Sequence, residues 1–552
     1  MKKSKTTKDW WKEEVIYQVY PKSFKDSNND GVGDIKGIKE KLPYLKELGI
    51  TTLWICPIFT SPMVDNGYDI ADFEGINPEF GTMEEFDELV AEAKKLEIKL
   101  MLDLVINHTS DEHTWFQQAL ADKKSKYREY YIFKEGKERP NNWRSIFGGS
   151  VWEKVPGEEC YYLHVFDKKQ PDLNWENPEL RQELYQMINR WLEKGIAGFR
   201  IDSITFIKKD QNYESLPADG VDGLVSCKHK TRNQPGIEFF LNELKKETFE
   251  KYNCVTVGEA PGVAYDEFSD FIGEEGYFSM IFDFHYADID VESGSDWFKR
   301  TNWTTKEFKE LIIQSQEALQ NAGWGANFIE NHDQPRALSK LVKKEFQTAE
   351  AAKGIGAMYF FLRGTPFIYQ GQELGMINAE RHHMKQFDDI SSIDNFYRAI
   401  QEGISEKEAL NFVNLRSRDN SRTPMPWDNS QYGGFSNHQP WLAMTEEYPT
   451  INAAKNTVLE FYKKMIELRQ NSPISPILKT GAIHFLKELP DSIIGYYREL
   501  GGEKIYSFTN LSPVSETLIV EKEVEVLYLT SHSTQLLGKE IKLAPYQSIL
   551  VK

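Results

Sequence analysis

The chain has little cysteine and no long apolar run. Its four cysteines, Cys56, Cys160, Cys227 and Cys254, lie far apart without a CxxC pair, so we expect buried free thiols rather than a disulfide framework. No apolar run approaches the ~20 residues that span a bilayer. The basic stretch at residues 1–14 has no apolar core of the kind found in signal peptides. We therefore expect a cytoplasmic protein without a membrane partner.

Positive charge is also scarce. Lys and Arg number 66 against 85 Asp and Glu, which gives a formal net charge of -19. Because such a charge repels polyphosphate, we expect no nucleic-acid partner. The 552 residues, 40% of them hydrophobic, exceed what one compact core usually holds, so we predict several domains or one large domain with insertions. We expect the chain to be a monomer.

What the sequence does contain is a regular alternation of strand-like and helix-like segments. Eight apolar stretches, such as residues 198–203, are each followed by a segment with helical periodicity or by an insertion. Eight such units predict an α/β fold, a closed (β/α)8 TIM barrel, with an open doubly wound sheet as the second choice. We predict a barrel, an inserted subdomain after strand 3 and a C-terminal antiparallel β domain, at residues 1–107 with 172–472, at 108–171 and at 473–552, respectively.

Polar side chains collect where the predicted strands end. In a TIM barrel, the carboxyl ends of all strands meet at one face, so side chains at these positions should share one mouth. Strands three, four, five and seven end in charged or amide groups: Asp103, Asn107, His108, Arg200, Asp202, Glu259, His332 and Asp333. Each could be an ordinary core or capping residue, but their common position in the barrel favours a functional site.

Several carboxylates in one mouth suit acid–base and covalent chemistry on an acetal. Such chemistry needs one ionised and one protonated carboxylate. Arg200 lies on the same strand face as Asp202, so we predict that it lowers the pKa of Asp202, the candidate nucleophile. Glu259 faces other carboxylates, so we predict a raised pKa and a role as general acid and base. A serine hydrolase or a zinc enzyme is disfavoured, since the chain has neither GxSxG nor HExxH.

Four motifs resemble the α-amylase family of glycoside hydrolases. They are DLVINH (103–108), GFRID (198–202), VGEAPG (257–262) and ENHDQPR (330–336). Two further motifs, QPDLN (170–174) and SRDNSRTPMPW (417–427), are similar to the oligo-1,6-glucosidase and α-glucosidase branch of that family. Together the motifs cover nearly the whole chain, and their occurrence in this order is specific.

The resemblance implies a role for each matching residue. Asp202 is implied as nucleophile, Glu259 as acid and base, and Asp333 as stabiliser of the transition state. The implied sugar-binding residues are His108, Arg200, His332, Gln334, Asp65, Tyr68, Arg418, Phe147, Phe166, Gln170 and Ser203. In the end-blocking motif DNGYD (65–69), Asp65 should meet Arg418 and close the pocket; without the resemblance, Arg418 would read as a surface charge. A closed pocket predicts release of single glucose units from the non-reducing end.

The acidic loop at residues 26–34 resembles a calcium loop. Its oxygen donors fall at the first, third, fifth, seventh and ninth positions: Asp26, Asn28, Asp30, the carbonyl of Val32, and Asp34. The family uses this loop for a structural Ca²⁺, which we therefore expect here. The twelfth position is Gly37 instead of Glu, and a predicted strand precedes the loop, so a true EF-hand is disfavoured. A solvated acidic turn is the alternative.

Ser203 bears on substrate choice. In the family the residue after the nucleophile is typically Val in α-1,6-specific members and Thr in α-1,4-specific members, and Ser is neither. We predict an exo-acting retaining α-glucosidase for isomaltose-type substrates that also accepts maltose or sucrose. The alternatives are a sucrose isomerase or transglucosylase, a trehalose-6-phosphate hydrolase, for which no phosphate-binding cluster is evident, and an inactive sugar-binding subunit.

Overall fold

In a computed structural model of the protein, which describes residues 9–520, 522–532 and 536–552, the centre is a ring of eight parallel strands. The strands are β1 (Ile16–Val19), β2 (Thr52–Ile55), β3 (Lys99–Val105), β4 (Gly198–Asp202), β5 (Val255–Glu259), β6 (Met280–Phe282), β7 (Ala326–Asn327) and β8 (Thr365–Tyr369). They pair in the order β6-β5-β4-β3-β2-β1-β8-β7, and a parallel bridge between Ile281 and Gly325 closes the ring. The predicted (β/α)8 barrel is confirmed.

A helix packed around the barrel follows each strand, in several cases after an insertion with helices of its own. These helices are α1 (Ile35–Leu48), α2 (Met83–Lys95), α3 (Pro178–Glu193), α4 (Ile237–Glu247), α5 (Phe268–Phe271), α6 (Thr305–Ala322), α7 (Ala349–Phe360) and α8 (Thr457–Asn471). α2 begins at a capping box, in which the Thr82 side chain accepts from the Glu85 amide and the Glu85 carboxylate accepts from the Thr82 amide. Its buried residues Phe86, Leu89 and Ala93 recur at helical spacing and face the barrel.

The seventh strand is much shorter than the sequence predicts. The apolar stretch 325–333 reads as one strand, but β7 covers only Ala326–Asn327. The Asn331 side chain accepts a hydrogen bond from the Asp333 amide at 2.8 Å, which turns the chain after the strand. His332 and Asp333 therefore lie on a loop at the mouth of the barrel rather than on the strand itself.

The segment between β3 and α3 forms a small layer on the barrel mouth. It contains a helix at Thr114–Ala121 and an antiparallel sheet of Phe133–Glu135, Cys160–Leu163 and Trp152–Lys154. A second, parallel pair joins Trp143–Arg144 to Val225–Ser226, which belongs to the connection between β4 and α4. The insertion is thus tied to the loop that follows Asp202, and this contact was not visible in the sequence.

The C-terminal region is an antiparallel sheet, as predicted. A helix at Ser475–Thr480 comes first, and the sheet begins at Ala482. Five strands pair in the order Ala482–Phe485, Ile493–Leu500, Glu503–Asn510, Ser548–Val551 and Leu527–Thr530. The buried Arg498 donates to the carbonyl oxygens of Phe361 and Leu362, just after α7, and so joins this sheet to the barrel.

Two expectations from composition can be compared with the structure. All four cysteines are free and only Cys254 is partly exposed, as predicted. Within the described ranges, no helix combines the length and the apolarity that crossing a bilayer requires. The stretch at residues 1–8, on which part of the signal-peptide prediction rests, lies outside the described residues.

Candidate active site

A cavity of about 830 Å³ opens at the carboxyl ends of the strands. Its wall includes Asp202 and Ser203 after β4, Glu259 at the end of β5, and Asp333 in the loop after β7. The other predicted residues in the wall are Asp65, Tyr68, His108, Phe147, Phe166, Gln334 and Arg418. The remaining three, Gln170, Arg200 and His332, are at most 1% exposed and lie directly behind the wall. All of the predicted sugar-site residues thus come together.

Arg200 connects three carboxylates at the floor of this cavity. β3 and β4 pair so that Arg200 lies beside Asp103. Nη1 of Arg200 donates to Oδ1 of Asp103 and to Oδ1 of Asp202, both at 2.7 Å. Nη2 lies 2.9 Å from Oε2 of Glu259. One guanidinium thus holds the Asp202 and Glu259 carboxylates close together, and the three acids outnumber their cation.

The prediction that Asp202 has a lowered pKa is wrong, although Arg200 acts on it in the predicted direction. Burial is the largest effect and raises the pKa of Asp202, Arg200 opposes the rise, and Asp103 adds to it. The physical reason is that burial penalises the charged form and the Asp103 carboxylate disfavours a second negative charge, and together these effects outweigh the attraction of Arg200. For Glu259 the predicted direction is confirmed. Burial raises its pKa to about 7, with Arg200 opposing and Asp202 adding to the rise.

Ser203 is held in an unusual backbone conformation beside Glu259. Its φ of 45° lies in the left-handed region, which a residue with a Cβ rarely adopts. This turn aims the Ser203 amide at Glu259, and the amide donates to Oε2 at 2.7 Å. The Ser203 hydroxyl is 3.5 Å from the same oxygen. The residue therefore adjoins the predicted acid and base as well as the predicted nucleophile.

Asp333 is surrounded by more positive charge than Asp202 and Glu259 are. Its Oδ1 is 2.9 Å from Nη2 of Arg422 and 3.3 Å from Nη1 of Arg418, and its Oδ2 is 3.1 Å from Nε2 of His332. Burial alone would raise the pKa of Asp333, but His332, Arg418 and Arg422 together hold it well below the usual range. Sequence reasoning missed Arg422, although it stands four residues after Arg418 in the same motif.

Arg418 closes one end of the cavity. It is 8% exposed, so the alternative of a surface charge is excluded. Its Nη2 lies 2.9 Å from Oδ1 of Asp65, as predicted, and its Nε donates to Oδ1 of Asp389 at 2.8 Å. Burial nevertheless raises the pKa of Asp65 against the pull of Arg418. Asp389, which the sequence analysis missed, also accepts from the first amides of the helix Ile390–Gln401 and so fixes that helix to the pocket.

Gln170 and His108 support Asp65 from behind. Nε2 of Gln170 donates to Oδ2 of Asp65 at 3.1 Å, and its Oε1 accepts from the Asp167 amide. Nε2 of His108 is 3.0 Å from the carbonyl oxygen of Tyr68. Burial lowers the pKa of His108 to about 4, so the ring is neutral near pH 7 and donates to this carbonyl.

Tyr68 stacks on a histidine in this structure. Its ring lies parallel to that of His332 at 5.3 Å between centroids, and its hydroxyl donates to Oδ2 of Asp103 at 3.0 Å. Gln18 Nε2 lies 2.8 Å from Nδ1 of His332, which assigns the ring proton to Nε2, facing Tyr68 and Asp333. Burial lowers the pKa of His332 to about 3, so this histidine is a neutral donor.

Three further predicted residues line the wall in different ways. Phe166 packs on the His108 ring at 5.1 Å between centroids, and the Arg418 guanidinium lies 5.1 Å from the centre of the Phe147 ring. Nε2 of Gln334 donates to Oδ1 of Asp288 at 3.0 Å, and its Oε1 accepts from Lys340. The side-chain amide of Gln334 is thus already bound to Asp288, in the loop after β6.

The acidic loop that resembles a calcium site holds itself together by hydrogen bonds. Asp26 accepts from the amides of Asn28, Asn29 and Gly31, and Asp34 caps α1 by accepting from the Gly37 amide. Oδ1 of Asp30 accepts from the Val32 amide. In the described part of the chain, the one group of acidic, Cys or His side chains within metal-ligating distance is elsewhere, at Glu135, Glu158 and Cys160. The donor set suits Ca²⁺ by type, but these hydrogen bonds would have to be exchanged for metal bonds.

Comparison with known proteins agrees with this geometry. The probable oligo-1,6-glucosidase 3 of Bacillus subtilis is 48% identical over 475 residues, which cover 84% of each chain. The oligo-1,6-glucosidase of Bacillus cereus is 40% identical over 562 residues, with 99% of both chains covered.

Solved structures resemble the whole fold. The isomaltulose synthase of Klebsiella sp. LX3 has a TM-score of 0.92 and 38% identity over 98% of this chain and 99% of its own. A trehalose-6-phosphate hydrolase of Bacillus licheniformis has a TM-score of 0.89 and 37% identity over 98% of this chain and 99% of its own. The family profile described as the alpha amylase catalytic domain matches residues 18–481. With the barrel and the cluster of carboxylates at its mouth, these matches identify the chain as a glycoside hydrolase of the α-amylase family.

Proposed function

We propose that the protein is a retaining, exo-acting α-glucosidase. It releases glucose from the non-reducing end of short α-glucosides, foremost isomaltose and isomalto-oligosaccharides, with maltose and sucrose as further substrates. The observation that carries this proposal is the contact of Arg200 with both Asp202 and Glu259 at the cavity floor. Two carboxylates held this close favour a double displacement over direct attack by water, which needs a wider gap.

In the proposed reaction, Asp202 attacks the anomeric carbon while the glycosidic bond breaks. Glu259 gives its proton to the departing oxygen, and a glucosyl ester of Asp202 results. Water then attacks the same carbon as Glu259 takes its proton, and the Asp202 carboxylate leaves, so the configuration is retained. Asp333, held ionised by His332, Arg418 and Arg422, would stabilise the positive charge that develops on the sugar ring.

The Asp65–Arg418 pair supports exo action. It closes one end of the cavity at 2.9 Å between Oδ1 and Nη2, and Gln170 supports Asp65 from behind. A polymer cannot pass through an end closed in this way, so a chain end must enter. The wall residues His108 and Tyr68, with buried His332 behind them, would then bind one glucose unit by its hydroxyl groups.

Azide rescue tests the two carboxylate roles separately. With p-nitrophenyl α-glucoside, Asp202→Ala should be rescued by azide to give β-glucosyl azide, because azide attacks in place of Asp202. Glu259→Ala should give α-glucosyl azide, because azide then attacks the glucosyl ester. The two configurations distinguish the roles, and Asp266→Ala, an exposed acid after β5, is the matched control. The same azide product from both variants would contradict the assignment.

The finer choice of substrate is tested by rates and products. The ratio of kcat/KM for isomaltose over maltose should exceed ten, a preference of about 1.4 kcal/mol in the transition state. Sucrose should yield glucose and fructose in equal amounts by chromatography. Isomeric disaccharides as the main products would instead support a transglucosylase of the kind named among the structural neighbours.

Calcium binding by residues 26–34 is a further part of the proposal. The five expected donors are Asp26, Asn28, Asp30, the Val32 carbonyl and Asp34, and the ion would join the start of α1 to the barrel mouth. Excess Ca²⁺ should raise the unfolding midpoint relative to EDTA, and Asp30→Asn should abolish the difference. An unchanged midpoint with EDTA would count against the ion.

A monomer in the cytoplasm remains a prediction. Light scattering tests the monomer by comparing the measured mass with the chain mass of 64.1 kDa.

A further inference from the structure

The outer part of the cavity carries two cations that form no ion pair with any described residue. Lys228 and Arg232 lie four residues apart in the connection between β4 and α4, and both line the cavity wall. Arg232 is half-buried, and its guanidinium makes no hydrogen bond or ion pair with any residue in the described ranges. The Lys228 ammonium makes one hydrogen bond, to the Ser293 hydroxyl at 3.1 Å.

The nearby carboxylates are already bound to other cations. Asp288 lies 2.8 Å from Nη2 of Arg416, and Asp296 lies 2.5 Å from Nη2 of Arg398. Among the described residues, no carboxylate is within 4.0 Å of the Lys228 ammonium or the Arg232 guanidinium, although Glu292 shares the wall. Burial lowers the pKa of both cations, and the neighbouring Arg232 lowers that of Lys228 further. Asp288 opposes this fall for both cations, but it acts from a distance and is itself bound to Arg416. Two adjacent, partly buried cations that no anion contacts are unfavourable, so a bound anion would stabilise them.

Arg232 lies on the side of the cavity where the leaving group of the substrate would be. Its side chain lies against Gly262, where a Cβ would come within 2.2 Å of Nε. Gly262 has a φ of 80° and stands three residues after Glu259, in the loop that follows the proposed acid at the end of β5. Asp65 and Arg418 close the other end of the cavity. A group bonded to the oxygen that Glu259 protonates would therefore extend toward Arg232.

We propose that Lys228 and Arg232 form an anion subsite for a phosphate carried on the aglycone of an α-glucoside. This inference rests on the proposed function, since it extends the same pocket beyond the bound glucose. A guanidinium offers paired donors that match phosphate oxygens, and a lysine adds a point charge. The sequence analysis saw no phosphate cluster, because the net charge of the chain hides a local basic run, CKHKTR at 227–232.

Inhibition by glucose 6-phosphate and by glucose tests the subsite, with p-nitrophenyl α-glucoside as the reporter substrate. Glucose 6-phosphate should bind at least ten-fold more tightly than glucose. Arg232→Gln and Lys228→Gln should each bring this ratio close to one, whereas Arg139→Gln, an exposed arginine in the inserted subdomain, should preserve it. The ratio compares two ligands on one protein, so it is independent of any loss of active enzyme in a variant.

Three outcomes would overturn the inference. Glucose 6-phosphate could bind no better than glucose, the preference could survive Arg232→Gln, or inorganic phosphate alone could inhibit as strongly as the sugar phosphate. The last result would mean a site for free phosphate. Calorimetric titration of the same three ligands needs no turnover. If no α-glucoside is hydrolysed, the proposed function fails, and the titration still decides whether the subsite exists.

Discussion

Two carboxylates in one cavity have opposite protonation preferences, although both belong to the proposed catalytic set. Glu259 shares the single Arg200 with Asp103 and Asp202, and its pKa rises to about 7. Asp333 contacts two arginines and a histidine, although Arg418 also binds Asp65 and Asp389, and its pKa stays well below the usual range.

The difference teaches that burial alone does not decide which acid keeps its proton. Burial raises the pKa of both groups, and the number of cations per carboxylate then separates them. A double displacement needs such a separation, because one group must donate a proton while another stays charged. Changes to either cluster should therefore affect activity in different ways.

The largest effect is expected in the acid-rich cluster, in which Asp103, Asp202 and Glu259 surround Arg200. Asp202→Asn removes the nucleophile and should lower kcat/KM for p-nitrophenyl α-glucoside by about 10⁴-fold or more. Asp266→Asn, an exposed acid after β5, should leave kcat/KM within two-fold, on the order of 0.4 kcal/mol. Unchanged activity in Asp202→Asn would contradict the proposed mechanism and would reopen the possibility that the protein only binds sugars.

The second largest effect is expected in the cluster in which Arg418 and Arg422 contact Asp333. Arg418→Gln leaves Asp65, Asp333 and Asp389 short of a cation, and removing one partner of a buried ion pair costs about 3 kcal/mol or more. We expect a lower unfolding midpoint and a fall in kcat/KM of about 10²-fold, because Asp333 and Asp65 would no longer be held in place for the bound sugar. Arg139→Gln is the exposed control. Wild-type values for Arg418→Gln would mean that Arg422 alone balances Asp333.

The sequence predicted the architecture well because the barrel rests on local patterns. Helical periodicity is a property of neighbouring residues, and the structure confirms it, for example in α2. The length of β7 was not predictable, because the Asn331 turn competes with an apolar run that would suit a strand equally well. The pairing of Trp143–Arg144 with Val225–Ser226 is long-range, so no local pattern announces it.

The site was predictable in its membership but less so in its electrostatics. Strand ends and motifs indicated Asp202, Glu259 and Asp333. The pKa of Asp202 depends on how many acids share Arg200, which is a property of three strands together. Asp389 and Arg422 were missed for a similar reason, since each acts through partners distant in the chain.

The pH dependence of kcat/KM sharpens the comparison between the two clusters. Glu259 must hold its proton to act as an acid, and its pKa is raised to about 7. Activity should therefore persist up to about pH 7 and then fall as pH rises, approaching ten-fold per pH unit. Glu259→Gln, assayed with p-nitrophenyl α-glucoside, should lose this basic limb. If kcat/KM of this variant still falls above about pH 7, the fall is caused by the ionisation of another group.

The smallest effect is expected at Ser203, beside the acid-rich cluster. Its hydroxyl is 3.5 Å from Oε2 of Glu259, and its φ is 45°. Val and Thr are both β-branched and share the cost of this backbone, so comparing them with each other isolates the side chain. Ser203→Val should raise the isomaltose-to-maltose ratio of kcat/KM relative to Ser203→Thr by about ten-fold, since the two side chains differ by a methyl group in place of a hydroxyl, and so small a change is worth about 1–3 kcal/mol. Equal ratios in the two variants would mean that linkage preference is set elsewhere in the cavity wall.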